Sequence, residues 1–157
     1  MSSIRVVWGT ATGPTEMSSY DAALAEANVH NYNLVAVSSV VPADAAVEAV
    51  GTAPDLGPAG ERLTVVEARA TTAGPGSVTA GLGWTTGPGP GLFYEAADES
   101  DPDDVRARVA AGLEAGRDLR EWTFTDERIE TATAEAEPGT YATAVVLAVY
   151  GESEPIC

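Results

Sequence analysis

Short apolar stretches, separated by glycine- and proline-rich turns, recur along the whole chain and set the main constraint on its fold. They are rich in β-branched and aromatic residues, which is typical of strands. These stretches are residues 4–9, 33–38, 62–69, 77–84, 92–96 and 140–150. None is long enough to cross a bilayer as a helix, so we expect no membrane-spanning segment. The pattern predicts a protein built mainly from short strands.

Two segments favour helices instead. Residues 20–27 follow Ser18 and Ser19, which are plausible capping residues. A clearer helix follows Ser100, with Pro102 in its first turn and acidic residues at the positive end of the helix dipole. One stripe of this second helix carries Val105, Val109, Gly112, Leu113 and Gly116. Its small residues allow close packing on a sheet, so we predict a single α+β domain spanning residues 1–157, in which helices cover sheets.

Charge excludes several classes of partner. The chain has 24 acidic and 8 basic residues, the latter all arginine, and a formal net charge of −16. Binding to phosphates requires a basic surface, so we expect neither nucleic acid nor an anionic membrane as a partner. The first residues contain no basic leader and no apolar stretch of a secretory signal, which predicts a cytoplasmic protein.

The acidic excess also predicts adaptation to salt. Repulsion among like charges destabilises a compact state, and molar salt shortens the screening length to about 3 Å. We therefore expect the unfolding temperature, measured by circular dichroism, to rise steeply between dilute buffer and molar KCl. Equal stability in both solutions would contradict this hypothesis.

Few residues are available for common catalytic chemistries. The chain has one histidine, His30, and one cysteine, Cys157, which leaves no intrachain disulfide and disfavours a zinc site or a catalytic triad. The glycines of residues 87–91 alternate with prolines and lack a following Lys-Ser or Lys-Thr, so they indicate a tight turn rather than a phosphate loop. The acidic residues near the second helix lack the spacing of a calcium loop. We expect no metal.

Two adjacent serines, Ser38 and Ser39, end an apolar strand and are followed by Pro42. Taken alone, they indicate only an ordinary strand end. The wider arrangement resembles the pyruvoyl-dependent arginine decarboxylases. The matching motifs are Asp21-Ala-Ala-Leu24, Asn33-Leu-x-x-x-Ser38-Ser39-x-x-Pro42 and Gly91-Leu-x-x-Glu95, followed by the acid-rich helix and a strand at Trp122. The resemblance covers nearly the whole chain and departs from the family mainly in its acidic excess and its Gly/Pro-rich turn.

Self-cleavage at the two serines is the chemistry that this resemblance implies. The Ser39 hydroxyl, buried in a strained turn, would attack the Ser38 carbonyl and form an ester. Asn33 would donate hydrogen bonds to the developing oxyanion. Loss of the α-proton of Ser39 then expels the Ser38 carboxylate and, after hydrolysis, leaves a covalent pyruvoyl group on residue 39. The products would be a chain of residues 1–38 and a chain of residues 39–157.

The remaining site residues follow from the same resemblance. A ketone on residue 39 would form a Schiff base with the substrate amine and accept the electrons released with CO₂. The proton donor of the family falls on Glu95, for which residues 92–94 predict an apolar setting that favours a protonated carboxyl. Asp21 matches the residue that binds the substrate guanidinium. Leu24 would line the aliphatic part of the pocket, or would belong to the core.

The resemblance implies a four-layer αββα sandwich assembled as a homotrimer, with active sites between neighbouring subunits. The implied reaction converts L-arginine to agmatine and CO₂. Two alternatives stay open. One is a pyruvoyl enzyme that decarboxylates another amino acid, such as histidine. The other is an uncleaved binding or structural module of the same fold.

Overall fold

Two helices and nine strands make up the part of the chain that the computed structural model describes, residues 2–157. In chain order they are β1 (Ser2–Gly13), α1 (Glu16–Glu26), β2 (Asn33–Ala36), β3 (Val40–Val41), β4 (Ala45–Gly51), β5 (Arg62–Ala73), β6 (Gly76–Thr86), β7 (Gly91–Asp98), α2 (Pro102–Asp118), β8 (Asp126–Ala136) and β9 (Tyr141–Tyr150). Neither helix is long and apolar enough to span a membrane.

The strands form two sheets that pack face to face. The five-stranded sheet has the order β2-β5-β9-β1-β4, and the four-stranded sheet has the order β3-β7-β6-β8. Their facing sides share one apolar cluster that includes Ile4, Val66, Leu82 and Val146. In β6 and β9 the residues of this cluster alternate along the strand, at positions 78, 80, 82 and 84 and at positions 142, 144, 146 and 148, as expected of packed sheets.

Each sheet is covered on its outer face by one helix. Ala23 and Leu24 of α1 pack against Val145 and Leu147 of the five-stranded sheet. The stripe Val105, Val109 and Leu113 of α2 packs with Leu92 on the four-stranded sheet. The layers therefore run α1, five-stranded sheet, four-stranded sheet, α2, which confirms the predicted αββα sandwich.

The helix starts differ from the predicted ones. Helix α1 begins four residues earlier, at Glu16, because Thr15 is its cap: the Thr15 hydroxyl accepts a hydrogen bond from the Ser18 N–H, and the Ser18 hydroxyl accepts one from the Thr15 N–H. The prediction that Ser18 or Ser19 caps the helix was therefore wrong. Ser19 is buried, and its hydroxyl lies 2.7 Å from that of Thr143. Helix α2 is capped by Asp101 rather than Ser100.

Strand β4 was not predicted, because residues 43–59 are rich in Ala, Glu, Pro and Gly and therefore indicate a connection rather than a strand. It pairs in parallel with β1, from Ser2 opposite Ala45 to Val7 opposite Gly51, with an irregularity after Val6. Strand β1 is also paired along most of its length with β9 on its other side. It is therefore an interior strand of the five-stranded sheet.

Candidate active site

The Ser38–Ser39 bond lies where the chain passes from one sheet to the other. Strand β2 forms the edge of the five-stranded sheet, and β3 forms an edge of the four-stranded sheet. Before this bond, the last hydrogen bond to the five-stranded sheet runs from the Val37 N–H to the Val65 carbonyl oxygen, 2.9 Å. After it, the first hydrogen bond to the four-stranded sheet runs from the Phe93 N–H to the Ser39 carbonyl oxygen, 2.8 Å. The Ser38–Ser39 bond is thus held between two anchored backbone positions.

The carbonyl group of Ser38 already has a hydrogen-bond donor. The Val40 N–H donates to the Ser38 carbonyl oxygen at 3.1 Å, which closes a three-residue turn around Ser39. The expected backbone strain is not found there, since Asn28 is the one non-glycine residue with a positive φ among residues 2–157. Instead, the turn directs an amide N–H at the oxygen on which negative charge would develop during attack.

The Ser39 side chain reaches Glu95. The Ser39 hydroxyl donates to Glu95 Oε2 at 3.4 Å, so the structure brings these two predicted residues together. Glu95 lies on β7 opposite Leu82 of β6 and is exposed, while Ser39 is partly buried. The predicted apolar setting does not enclose Glu95 in the single chain, because Leu92 packs with α2 on the opposite face of the strand.

Tyr150 holds the segment that follows the Ser38–Ser39 bond in place. Its hydroxyl donates to the Val40 carbonyl oxygen at 2.9 Å, and its ring meets that of Phe93 edge to face at 6.0 Å. Burial raises the pKa of Tyr150 to about 12, so the hydroxyl stays a donor across the physiological range. Tyr150 was not among the site residues expected from the sequence. The only signal was a polar aromatic residue at the end of a strongly apolar strand.

A cleft of about 340 Å³ opens beside the two serines. Most of its wall is apolar. The lining residues include Ser38, Ser39 and Val40, Leu92, Phe93 and Tyr94 of β7, Gly112, Leu113 and Gly116 of α2, and Leu119 and Arg120 beyond the end of that helix. Such a mainly apolar cavity with a few polar groups is typical of small-molecule sites.

Glycine allows α2 to form one side of the cleft. A Cβ at Gly112 would overlap the Tyr94 ring, and a Cβ at Gly116 would lie 3.0 Å from Leu92 Cδ1. The helix therefore lies directly against β7 at the cleft. This confirms the expectation that small residues on the α2 stripe serve close packing.

The other predicted site residues lie elsewhere in the single chain. The Asn33 side-chain amide donates to the Gly60 carbonyl oxygen at 2.8 Å, at the opposite end of β2 from Ser39. Asp21 is exposed on α1, which packs on the five-stranded sheet rather than on the sheet that carries Glu95. Leu24 is 7% exposed and belongs to the core, which is the alternative that the sequence left open. One chain thus assembles Ser38, Ser39 and Glu95, but not Asp21 or Asn33.

Comparison with known proteins identifies the family. The model of the pyruvoyl-dependent arginine decarboxylase family matches residues 3–155. A pyruvoyl-dependent arginine decarboxylase of Halobacterium salinarum is 60% identical over 157 residues, covering 99% of this chain and 98% of the relative. Relatives of the same name from Thermococcus sibiricus and Pyrococcus horikoshii are 32% and 30% identical and cover 90% and 89% of this chain, and 91% and 90% of their own lengths. The chain therefore belongs to the pyruvoyl-dependent arginine decarboxylase family.

Proposed function

We propose that this protein decarboxylates L-arginine to agmatine and CO₂, using a pyruvoyl group made from its own Ser39. The observation that carries this proposal is the placement of the Ser38–Ser39 bond at an apolar cleft, with the Ser39 hydroxyl hydrogen-bonded to the Glu95 carboxyl. The family membership supports both the covalent group and the substrate.

The local geometry fits formation of this group. Attack of Ser39 Oγ on the Ser38 carbonyl carbon places negative charge on an oxygen that already accepts the Val40 N–H. Glu95 Oε2 is the carboxylate oxygen within reach of the hydroxyl proton. Collapse of the adduct breaks the peptide C–N bond and gives an ester between residues 38 and 39. In this scheme the Val40 N–H takes the part that the sequence assigned to Asn33.

The second stage releases the first chain. A base removes the α-proton of residue 39, the Oγ–Cβ bond breaks, and Ser38 leaves as a carboxylate. The dehydroalanine that remains tautomerises to an imine, takes up water and loses ammonia to become pyruvoyl. This group supplies an electron sink for loss of CO₂ from a bound amino acid. Glu95 then delivers the proton that replaces CO₂ on the substrate α-carbon, and the apolar side chains of Val40 and Phe93 beside Ser39 limit hydration of the substrate carboxylate.

Cleavage leaves the sandwich intact. Residues 1–38 contribute β1, which lies between β9 and β4 and is paired with β9 from Ile4 to Gly13. They also contribute α1, which covers the core of the five-stranded sheet. The two chains are therefore interleaved, and separating them would expose most of that core.

The substrate end of the site requires a neighbouring copy. Asp21 lies away from Ser39 in one chain, on the helix that packs on the five-stranded sheet, so its proposed role is fulfilled only if another subunit presents it to the cleft. The edge strands next to Ser39 support such packing, because Val35, Val37 and Val40 are 43%, 40% and 43% exposed there. We propose the homotrimer that the family resemblance implies, with each site formed at a subunit interface.

The test of this function is an intact mass spectrum of protein held in molar salt, combined with a product assay. We expect two co-purifying chains that divide between Ser38 and Ser39, the larger of which gains two hydrogen atoms on borohydride reduction. Agmatine should form from L-arginine, and histamine should not form from histidine. A single unmodified chain of 16.1 kDa would indicate the uncleaved module instead. Histamine without agmatine would support the histidine alternative.

Asp21→Asn should weaken arginine binding without stopping self-cleavage. The change removes one carboxylate from a charge-assisted pair with guanidinium, worth about 1.5–3 kcal/mol, so KM should rise roughly 10- to 100-fold. Steady-state kinetics and the cleaved fraction by mass would be measured together. Asp103→Asn, in the first turn of α2, is the matched control for loss of an exposed helical acid. An unchanged KM in Asp21→Asn would contradict the role of Asp21.

A further inference from the structure

Arg120 is the one charged side chain among the described residues that line the cleft. It lies two residues beyond the end of α2, where its N–H donates to the Arg117 carbonyl oxygen at 3.0 Å. A cation is unexpected here, because the cationic substrate would be repelled by it. The proposed reaction assigns it no task.

The guanidinium of Arg120 is held by neutral groups. Its Nη1 donates to the Gly116 carbonyl oxygen at 2.9 Å, and the group lies 5.3 Å from the centroid of the Trp122 ring. Among residues 2–157 no carboxylate lies within ion-pair distance of it, although the protein has 24 acidic residues. By contrast, four other arginines do form ion pairs: Arg62, Arg108, Arg117 and Arg128. Arg120 is thus fixed in orientation and retains free donors for an anion.

We propose that Arg120 stabilises the carboxylate that leaves Ser38 during self-cleavage. Ser38 lines the same cleft, so both groups face one space. This inference rests on the proposed function, because only cleavage creates an anion at Ser38. The planar guanidinium suits a carboxylate, whose two oxygens can accept parallel hydrogen bonds.

The step at which Arg120 acts is the elimination. The α-proton of residue 39 goes to a base, the electron pair of that C–H bond forms the Cα=Cβ double bond, and the Oγ–Cβ bond breaks. Its electron pair leaves with the oxygen as the Ser38 carboxylate. Because negative charge increases on this leaving group, a fixed cation in an apolar cleft lowers the barrier.

The substrate carboxylate is a poorer partner for Arg120. Decarboxylation consumes that carboxylate, so an ion pair with it would stabilise the ground state more than the transition state and slow the reaction. In the elimination the carboxylate is formed, and the same cation accelerates the step. After cleavage, the Ser38 carboxylate neutralises Arg120 and leaves the cleft suitable for loss of CO₂.

The experiment follows the maturation of purified precursor in molar salt by intact mass, for wild type, Arg120→Gln and Arg120→Lys. Arg106→Gln is the matched control, since Arg106, on the neighbouring helix α2, likewise lacks an ion pair within the described chain and donates to one carbonyl oxygen, that of Ile129. Arg120→Gln should slow cleavage by about 10²-fold. It should also accumulate full-length ester, which hydroxylamine splits between residues 38 and 39. Arg120→Lys should cleave faster than Arg120→Gln, and Arg106→Gln should cleave like wild type.

The opposite results are equally specific. Cleavage of Arg120→Gln at the wild-type rate overturns the inference. The inference is also overturned if Arg120→Gln stays uncleaved and accumulates no ester, because the defect would then precede the elimination. A normally cleaved Arg120→Gln that loses affinity for arginine but not for agmatine, which lacks the carboxylate, would assign Arg120 to the substrate instead. If wild type itself remains uncleaved, the proposed function fails, and not this role alone.

Discussion

Ser39→Ala is expected to yield a folded, full-length chain of 16.1 kDa that carries no pyruvoyl group and has no decarboxylase activity. The substitution removes both the nucleophile and the oxygen that must leave with Ser38. It should hardly alter stability, because Ser39 is partly exposed and its side-chain hydrogen bond to Glu95 is long, at 3.4 Å. Intact mass, the unfolding temperature in molar salt and CO₂ release would be measured on the same preparation.

Ser38→Ala is the matched control for this variant. Residue 38 takes part through its backbone carbonyl, which accepts the Val40 N–H whatever the side chain is. We therefore expect Ser38→Ala to cleave and to release a first chain that ends in alanine. A processed Ser39→Ala chain would refute the mechanism. Equal loss of cleavage in both variants would indicate that the local turn, rather than the Ser39 hydroxyl, controls the reaction.

The proximity of Ser39 and Glu95 was predictable because the proposed cleavage chemistry depends on residue identity and order. A serine pair at a strand end and a glutamate on a later strand carry the resemblance, and the structure joins Ser39 to Glu95 across the sheet edge. The strand patterns and the α2 stripe predicted that helices cover sheets, whereas the four-layer order followed from the family resemblance. Caps were less predictable, because Thr15 is as good a capping residue for α1 as Ser18 or Ser19.

Features that depend on long-range pairing were not predictable. Strand β4 has the sequence Ala-Ala-Val-Glu-Ala-Val-Gly, which lacks a strong strand signal, and it forms because β1 offers a parallel edge. The Val40 N–H is a backbone group that almost every residue type carries, so the sequence does not indicate that it donates to the Ser38 carbonyl oxygen. Tyr150 lies at the end of β9 and Arg120 lies beyond α2, so only the folded chain shows that Tyr150 contacts Val40 and that Arg120 lines the cleft beside Ser38.

Glu95→Gln should reduce turnover per processed site by about 10²- to 10⁴-fold, the range for loss of a general acid. An amide can accept the Ser39 hydroxyl hydrogen bond, yet it cannot release a proton to the substrate α-carbon. Cleavage should also slow, since Glu95 Oε2 is the carboxylate oxygen within hydrogen-bond reach of the Ser39 hydroxyl. The variant is therefore incubated in molar salt until enough chain is processed to assay.

Dividing activity by the number of processed sites separates the role of Glu95 in self-cleavage from its role in decarboxylation. Borohydride reduction followed by intact mass gives the fraction of chains with a carbonyl on residue 39, and agmatine formation is divided by that fraction. Glu114→Gln, which changes an exposed glutamate on α2, should match wild type in both measurements. If Glu95→Gln were processed slowly but turned over normally at each completed site, Glu95 would serve maturation only. The proton for the product would then have to come from another group, most directly one that a neighbouring subunit brings to the exposed side of β7.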